Sequence, residues 1–336
     1  MATILILGGT AWLGREVARQ AVAAGHAVTC LARGTAAAAS GVELVKADRG
    51  DPDAYADVVD RTWDVVVDVS QQPGQVREAA VALSSSLGAA GHWVFVSTGS
   101  VYVDGAEHHA GNESDPTKEP LIEAIADAEH YGEGKVACER AAVDALGADR
   151  VTIARVGLIA GPGDGSDRFG YWPAAFGRAV DDGGPVLVPD VPDQSVQLID
   201  VRDLASWLLH AGLDRGAGTF DVVGAASTVG EVLAVAQTAA GFTGEVVAVH
   251  PEWLIGQQVA CWAGLRSLPL WLPAGHELSV PRPAAKAVAA GLDRRPYAEL
   301  ATDVLVDERD RGLDRERRAG LTRADELALI DAWRSR

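Results

Sequence analysis

Cysteine is scarce. The chain has three in 336 residues, Cys30, Cys138 and Cys261, an odd count with no metal-ligand spacing. A disulfide framework and a zinc-type centre are thereby excluded, and reduced thiols in the cytosol are expected. Positive charge is also short. Against 47 Asp and Glu stand 29 Lys and Arg, a formal net charge of −18. Such a charge opposes binding to nucleic acid and to anionic membranes. No apolar stretch is long enough to span a bilayer. The apolar run at the N-terminus has no basic flank and no cleavage-type site, so no signal peptide is expected. Internal repeats, low-complexity segments and independent linkers are absent as well. With 48% hydrophobic residues, the chain can build one large α/β domain or two smaller units sharing a core.

What is present begins at once. Thr3 to Leu7 is a short apolar run. Gly8-Gly9-Thr10-Ala11-Trp12-Leu13-Gly14 follows, then a helical stretch from Arg15 to Ala24 closed by Gly25. A buried strand, a glycine turn and a helix N-terminus in that order form a phosphate-binding unit. The turn lets backbone amides approach a pyrophosphate, and the positive end of the helix faces it. Ala11 stands where a third glycine is often found. The competing reading is an ordinary βα turn without a ligand. A second strand, His26 to Ala32, ends before Arg33. An acidic residue at that strand end would hold the ribose hydroxyls of NAD. Ala32 and the cation Arg33 suit a 2′-phosphate instead, so NADP(H) is favoured over NAD(H). The alternative is that Arg33 is a solvated loop charge.

Strands and helices then alternate. Val42 to Asp48 reads as strand 3, with Asp48 beside the adenine. Pro52 to Asp60 reads as a short helix, and Trp63 to Ser70 as strand 4. A helix is expected from Pro73 to Ala90, then strand 5 from His92, ending in Ser97-Thr98-Gly99-Ser100. Such alternation predicts a parallel doubly wound sheet, whose ligands sit beyond the carboxyl ends of its strands. Ser70, Ser97 and Thr98 fall at such ends. The polar stretch Gly105 to Pro120 reads as a surface loop. Its His108 and His109 have no partner cluster for a metal.

Tyr131 and Lys135 are one turn apart on the next helix and share a face. Val151 to Val156 is strand 6, followed by a glycine-rich segment to Asp167. Phe169, Tyr171, Trp172 and Phe176 come close together and either line a substrate pocket or pack a lid on the sheet. Val196 to Val201 leads into a helix, and Gly218 to Gly224 is the last strand. Thr228-Val229-Gly230-Glu231 is a capping-box start to another helix. After Gly241 the alternation weakens. Trp253, Trp262 and Trp271 suggest the core of a smaller helical unit, and Thr322 caps a final helix.

A strand-end hydroxyl with a Tyr and a Lys on one helix face makes a proton-transfer site. A free phenol titrates near 10, too high for use at neutrality. Lowering it to about 7 requires roughly 4 kcal/mol of phenolate stabilisation, which Lys135 and a positive nicotinamide would supply. Thr98 would hold the substrate oxygen, and Lys135 could also bind the nicotinamide ribose. Taken alone, a Tyr and a Lys four residues apart are far more often a plain surface pair than a catalytic one; the dinucleotide turn upstream and the strand-5 hydroxyls favour the catalytic reading.

The motifs Gly8 to Gly14, Val96 to Tyr102, Tyr131-Gly132-Glu133-Gly134-Lys135, Gly161-Pro162-Gly163-Asp164 and Ile199 to Leu204 occur together and in this order. In them the chain resembles an extended short-chain dehydrogenase/reductase of the NAD(P)-dependent epimerase/dehydratase family, over about two thirds of its length. The resemblance implies a Rossmann domain, residues 1–160 and about 196–235. It also implies a smaller C-terminal substrate-binding domain, about 161–195 and 236–336, with substrate held between the two. A catalytic triad of Thr98, Tyr131 and Lys135 is implied, as is backbone near Val156 to Leu158 facing the nicotinamide amide. The cofactor set is then Gly8, Gly9, Thr10, Ala11, Trp12, Leu13, Gly14, Arg33, Asp48, Ser70, Ser97, Tyr131, Lys135, Val156 and Leu158. The substrate set is Thr98, Phe169, Tyr171, Trp172 and Gln197, with no metal. Members are often dimers, so a homodimer is a further expectation.

Departures from the family pattern shape the expected reaction. Sugar-nucleotide dehydratases carry Asp-Glu directly after the triad threonine, where this chain has Gly99 and Ser100. Water elimination is thereby excluded. Asp193 to Gln197 contains no arginine for a diphosphate, which favours a less charged small molecule. The expected activity is hydride transfer between nicotinamide and a carbonyl or secondary alcohol, in the cytoplasm. Sugar-nucleotide epimerisation is the alternative. A non-catalytic dinucleotide sensor or RNA-associated relative is a third reading, opposed by the intact triad and by the charge.

Overall fold

The computed structural model describes residues 1–103, 111–273 and 281–336. The two adjacent histidines lie outside the described residues. The chain forms two compact units. The first comprises Met1–Leu158, Val201–Gly224 and Arg282–Asp293, and the second Ile159–Asp200, Ala225–Pro281 and Arg294–Arg336. Residues 196–200 and 225–235 lie in the second unit. Residues 282–293 return to the first. There Ala285–Ala289 packs on the Gly218–Val222 strand, a return that no motif in the sequence marks.

The first unit is built on seven parallel strands. In chain order they are β1 (Thr3–Leu7), β2 (Ala27–Ala32), β3 (Glu43–Lys46), β4 (Val65–Asp68), β5 (His92–Thr98), β6 (Val151–Val156) and the Gly218–Val222 strand. Across the sheet the order is Gly218–Val222, β6, β5, β4, β1, β2, β3. This is a Rossmann-type doubly wound sheet, and its order reverses between β1 and β4. The crevice beyond their carboxyl ends is where such sheets bind ligands. Ile4 to Leu7 are fully buried, as continuous apolar runs in parallel sheets require. Helices α1 (Trp12–Ala23) and α6 (Val201–Leu213) pack against each other, as do α3 (Pro73–Ala82) and α4 (Tyr131–Leu146).

Helix α3 stops well before Ala90. The triplet Ser84-Ser85-Ser86 ends it, because serine hydroxyls compete for backbone partners. Ser84 Oγ donates to the Val81 carbonyl at 2.9 Å, and Ser86 Oγ turns to the Val59 carbonyl. Leu87 stays in the core nonetheless. The short helix expected over 52–60 is reduced to α2 (Ala56–Val59).

The second unit is mainly helical. It contains α5 (Tyr171–Asp182), α7 (Val229–Ala240), Tyr297–Arg311 and Arg323–Arg334, with a parallel pair of short strands, Val186–Pro189 and Val246–Val249. The capping box at Thr228 and Glu231 forms. Trp271 is core, whereas Trp253 is half-buried and packs edge-on against Trp333 at 5.1 Å. Glu308 is buried and gathers Arg311, Arg315 and Arg317 around one carboxylate. Among the described residues no helix is long and apolar enough to cross a membrane.

Candidate cofactor and proton-transfer site

The glycine turn joins β1 to α1, and each glycine has its own steric reason. Gly8 has φ +90°, a conformation that side chains resist. A Cβ on Gly9 would lie 2.1 Å from Cys30 Sγ, so the turn sits directly on β2. A Cβ on Gly14 would lie 2.5 Å from the Gly8 carbonyl oxygen. Backbone meets backbone there, and nothing can yield. The N-cap of α1, Ala11, makes no side-chain bond, and the first turn of α1 holds no acid. The positive end of α1 is therefore not neutralised by its own sequence. This cradle fits a diphosphate: tight glycine backbone, an unopposed helix end and the switch-point crevice. Thr10 and Trp12 are half-buried and Ala11 exposed, while Leu13 and Gly14 are buried beneath them. Burial pushes the Cys30 thiol up to about 12, so this residue packs the turn and is not a nucleophile.

Arg33 and Asp48 are exposed beyond the ends of β2 and β3. Asp48 Oδ1 accepts the Gly50 amide at 3.0 Å. The next residue, Arg49, turns inward and forms a two-pronged pair with Asp68 at 2.7 and 2.9 Å. Asp68 in turn accepts the Ser70 amide at 2.9 Å. This buried pair fixes the end of β4 directly behind the crevice. Sequence reasoning missed it, although a carboxylate inside the apolar run of strand 4 was a signal.

Lys135 is 2% exposed. Its ammonium donates to the Ser70 carbonyl at 2.7 Å and to the Val96 carbonyl at 2.5 Å, and lies 4.3 Å from the centre of the Phe95 ring. Two of its three N–H donors thus tie α4 to the ends of β4 and β5. Burial lowers its pKa to about 8. Tyr131 is the first residue of α4 and is half-buried. Gly132 brings that first turn against the strand-5 end, since a Cβ there would lie 2.3 Å from the Ser100 carbonyl oxygen. Thr98 Oγ1 accepts the Ser100 amide at 3.2 Å. Ser100 therefore links Thr98 to the turn that carries Tyr131. Gly134 gives a similar close approach to Ala126, whose Cβ would lie 2.5 Å from an added Cβ.

Ser97 and Ser70 use their hydroxyls within the protein. Ser97 turns its hydroxyl to Glu139, at 2.5 Å, and is buried. It braces the strand. Ser70 Oγ donates to Gln75 Oε1 at 2.9 Å, and its carbonyl serves Lys135. Val156 is buried and Leu158 half-buried at the end of β6, where the Gly157 amide reaches the Val222 carbonyl at 3.4 Å. In the second unit Phe169, Tyr171 and Trp172 are at most 1% exposed. Trp172 Nε1 donates to the Pro269 carbonyl, and its ring packs edge-on against Tyr171 at 5.0 Å. These rings pack in the core of their own unit. Gln197 is likewise buried.

Residues 4–224 match the model of the NAD dependent epimerase/dehydratase family. The chain belongs to that family. No curated protein sequence matches it. Among solved structures, a chain from Burkholderia cenocepacia J2315 is 23% identical, with a TM-score of 0.67, covering 92% of this chain and 98% of its own. The UDP-N-acetylglucosamine 4-epimerase of Bacillus cereus is 18% identical with a TM-score of 0.62, covering 91% and 99%. RMD from Pseudomonas aeruginosa, complexed with NADPH, is 19% identical with a TM-score of 0.60, covering 93% and 99%. At these identities the likeness establishes the fold. For a member of this NAD-dependent family, the Gly8-to-Gly14 cradle is the element that would hold the dinucleotide's diphosphate.

Proposed function

We propose that this family member is an oxidoreductase that uses NADP(H) and acts on the carbonyl or secondary alcohol of a small molecule. The observation that carries this reading is the seating of Tyr131 and Lys135. They occupy the first two turns of α4, and Gly132 presses that helix end against Ser100, beside Thr98. A bound nicotinamide supplies or accepts the hydride. Tyr131 gives a proton to the substrate oxygen during reduction and takes it back during oxidation. Thr98 orients that oxygen. Lys135, cationic below about pH 8, stabilises the phenolate that remains on Tyr131. Gly99 and Ser100 offer no acid–base pair for dehydration. Asp193 to Gln197 lack an arginine, in keeping with a substrate without a diphosphate. Arg33, placed after β2 where NAD would need a carboxylate, supports the choice of NADP(H).

The family description and the named 4-epimerase among the solved structures make epimerisation the second reading. The two differ in how they treat the dinucleotide. An epimerase regenerates its cofactor in each cycle and tends to retain it, whereas an oxidoreductase must exchange it. Denaturing freshly purified protein and identifying any released dinucleotide separates them. A site that is empty on isolation and prefers NADPH on titration supports the oxidoreductase. Near-stoichiometric retained NAD overturns it. Once a substrate is found, Tyr131→Phe should abolish turnover while NADPH binding persists. Undiminished turnover in that variant would remove Tyr131 from the mechanism.

A further inference from the structure

The ends of β2 and β3 carry two cations, with the nearest carboxylate in sequence, Asp48, two residues beyond Lys46. Arg33 follows Ala32 directly. Lys46, one of only four lysines in the chain, closes β3 in register with Ala32. Its stem crosses the turn just after Arg33: a Cβ on Gly34 would lie 3.2 Å from Lys46 Cγ, Cδ and Cε alike. Gly34 has φ +77°, so the backbone bends there and lets the lysine lie across it. Residues 33–42 contain no carboxylate. The acids nearest in sequence are otherwise engaged. Glu43 is held by Arg61 at 2.7 and 3.0 Å and by Thr29 at 2.9 Å, and Asp48 accepts the Gly50 amide. Both Arg33 and Lys46 are exposed, and neither is in an ion pair among the described residues. In a chain of net charge −18, two exposed cations without an ion-pair partner among the described residues thus stand together at the ends of β2 and β3.

We infer that Lys46 is a second cation for the adenosine 2′-phosphate and, with Arg33, determines which dinucleotide this chain takes. The inference rests on the NADP(H) reading above and extends it to a residue that no motif indicates. A phosphomonoester carries close to two negative charges at neutral pH. One guanidinium does not balance it. A guanidinium grips such a group through its planar fork, and an ammonium adds a mobile point charge. The contact with Gly34 lays the Lys46 stem across the same turn from which Arg33 projects. NAD has no 2′-phosphate, so Lys46 has no role in holding it.

The test is equilibrium binding to the full-length protein, with NADPH, NADH and 2′,5′-ADP as probes. Wild type, Arg33→Ala, Lys46→Met and Lys46→Arg are compared at low and moderate salt. Lys46→Met should weaken NADPH and 2′,5′-ADP by about tenfold, the scale of one charge-assisted hydrogen bond. It should leave NADH within about twofold and flatten the salt dependence. Lys46→Arg should retain most of the wild-type affinity. If wild type prefers NADPH and Arg33→Ala erases that preference while Lys46→Met leaves it intact, Lys46 is not part of the subsite and the cofactor reading stands. An equal loss for NADH and NADPH in Lys46→Met would mark a general disturbance of the turn and likewise reject the inference. If wild type itself binds NADH as well as NADPH, the cofactor reading falls and the inference falls with it.

Discussion

Ser97 donates its hydroxyl to Glu139 at 2.5 Å, and Glu139 holds Arg155 through both carboxylate oxygens, at 3.1 and 2.8 Å. Glu139 lies one turn beyond Lys135, which reaches the neighbouring Val96 carbonyl. Two consecutive residues of β5 are thus bonded to two consecutive turns of α4. This double seam, together with the bond from the Ser100 amide to Thr98 Oγ1, sets the position of Thr98 relative to Tyr131.

Removing Glu139 should be costly. Glu139→Ala leaves the Arg155 guanidinium in the protein interior without its counter-charge, a situation that costs about 3–5 kcal/mol. Ser97→Ala removes one hydrogen bond and leaves the ion pair whole, at about 1 kcal/mol. Urea unfolding of both variants checks the order. A Glu139→Ala loss no larger than that of Ser97→Ala would show that the ion pair contributes little to holding the seam.

The glycine turn yields a sharper contrast. Gly14→Ala sets a methyl group 2.5 Å from the Gly8 carbonyl oxygen, and relief requires α1 to move away from the turn. NADPH affinity should fall by at least about tenfold, because the amides that face a diphosphate move with the helix. Gly25 closes the same helix at φ +80° with nothing within 4 Å of an added Cβ. Gly25→Ala should therefore lower stability by about 1 kcal/mol through backbone strain alone and leave the dinucleotide affinity unchanged. Fluorescence titration alongside thermal unfolding separates the two effects.

The elements legible in the sequence were those written in local patterns. The glycine turn, the alternation of apolar strands with helices, and the Tyr131–Lys135 spacing all lie within a few residues. Together they placed the seven-stranded sheet and the helix that carries the proposed acid. What stayed hidden depends on distant pairings. Arg49 with Asp68, Glu139 with Arg155, and the return of residues 282–293 to the first unit join parts of the chain whose sequences carry no mutual mark. The aromatic group around Tyr171 is ambiguous in the sequence for a related reason. Periodicity shows that rings lie on one side of a helix but not whether that side meets a ligand or a neighbouring helix. Here Phe176 meets Phe242, at 5.5 Å.

Lys135 links the fold to the chemistry through its charge. Burial lowers its pKa from 10.5 in the open chain to about 8 in the folded protein. Below pH 8 both states hold the proton, and the full desolvation penalty opposes folding. Between about 8 and 10.5 the unfolded chain keeps a proton that the folded protein has released, so this residue's contribution to stability rises with pH across that window. The whole rise is about 3 kcal/mol, close to 1.4 kcal/mol per pH unit. Lys135→Met removes it. The difference in unfolding free energy between wild type and Lys135→Met, followed by urea titration from pH 7 to 9.5, should be flat below about pH 7.5 and then move in favour of wild type. Taking the difference cancels the tyrosines and other groups common to both proteins. A difference that stays flat to pH 9.5 would mean that Lys135 keeps its proton when buried, held by the Ser70 and Val96 carbonyls more strongly than desolvation opposes it. Phenolate support for Tyr131 would then persist well above pH 8, where a lysine titrating at about 8 has given it up.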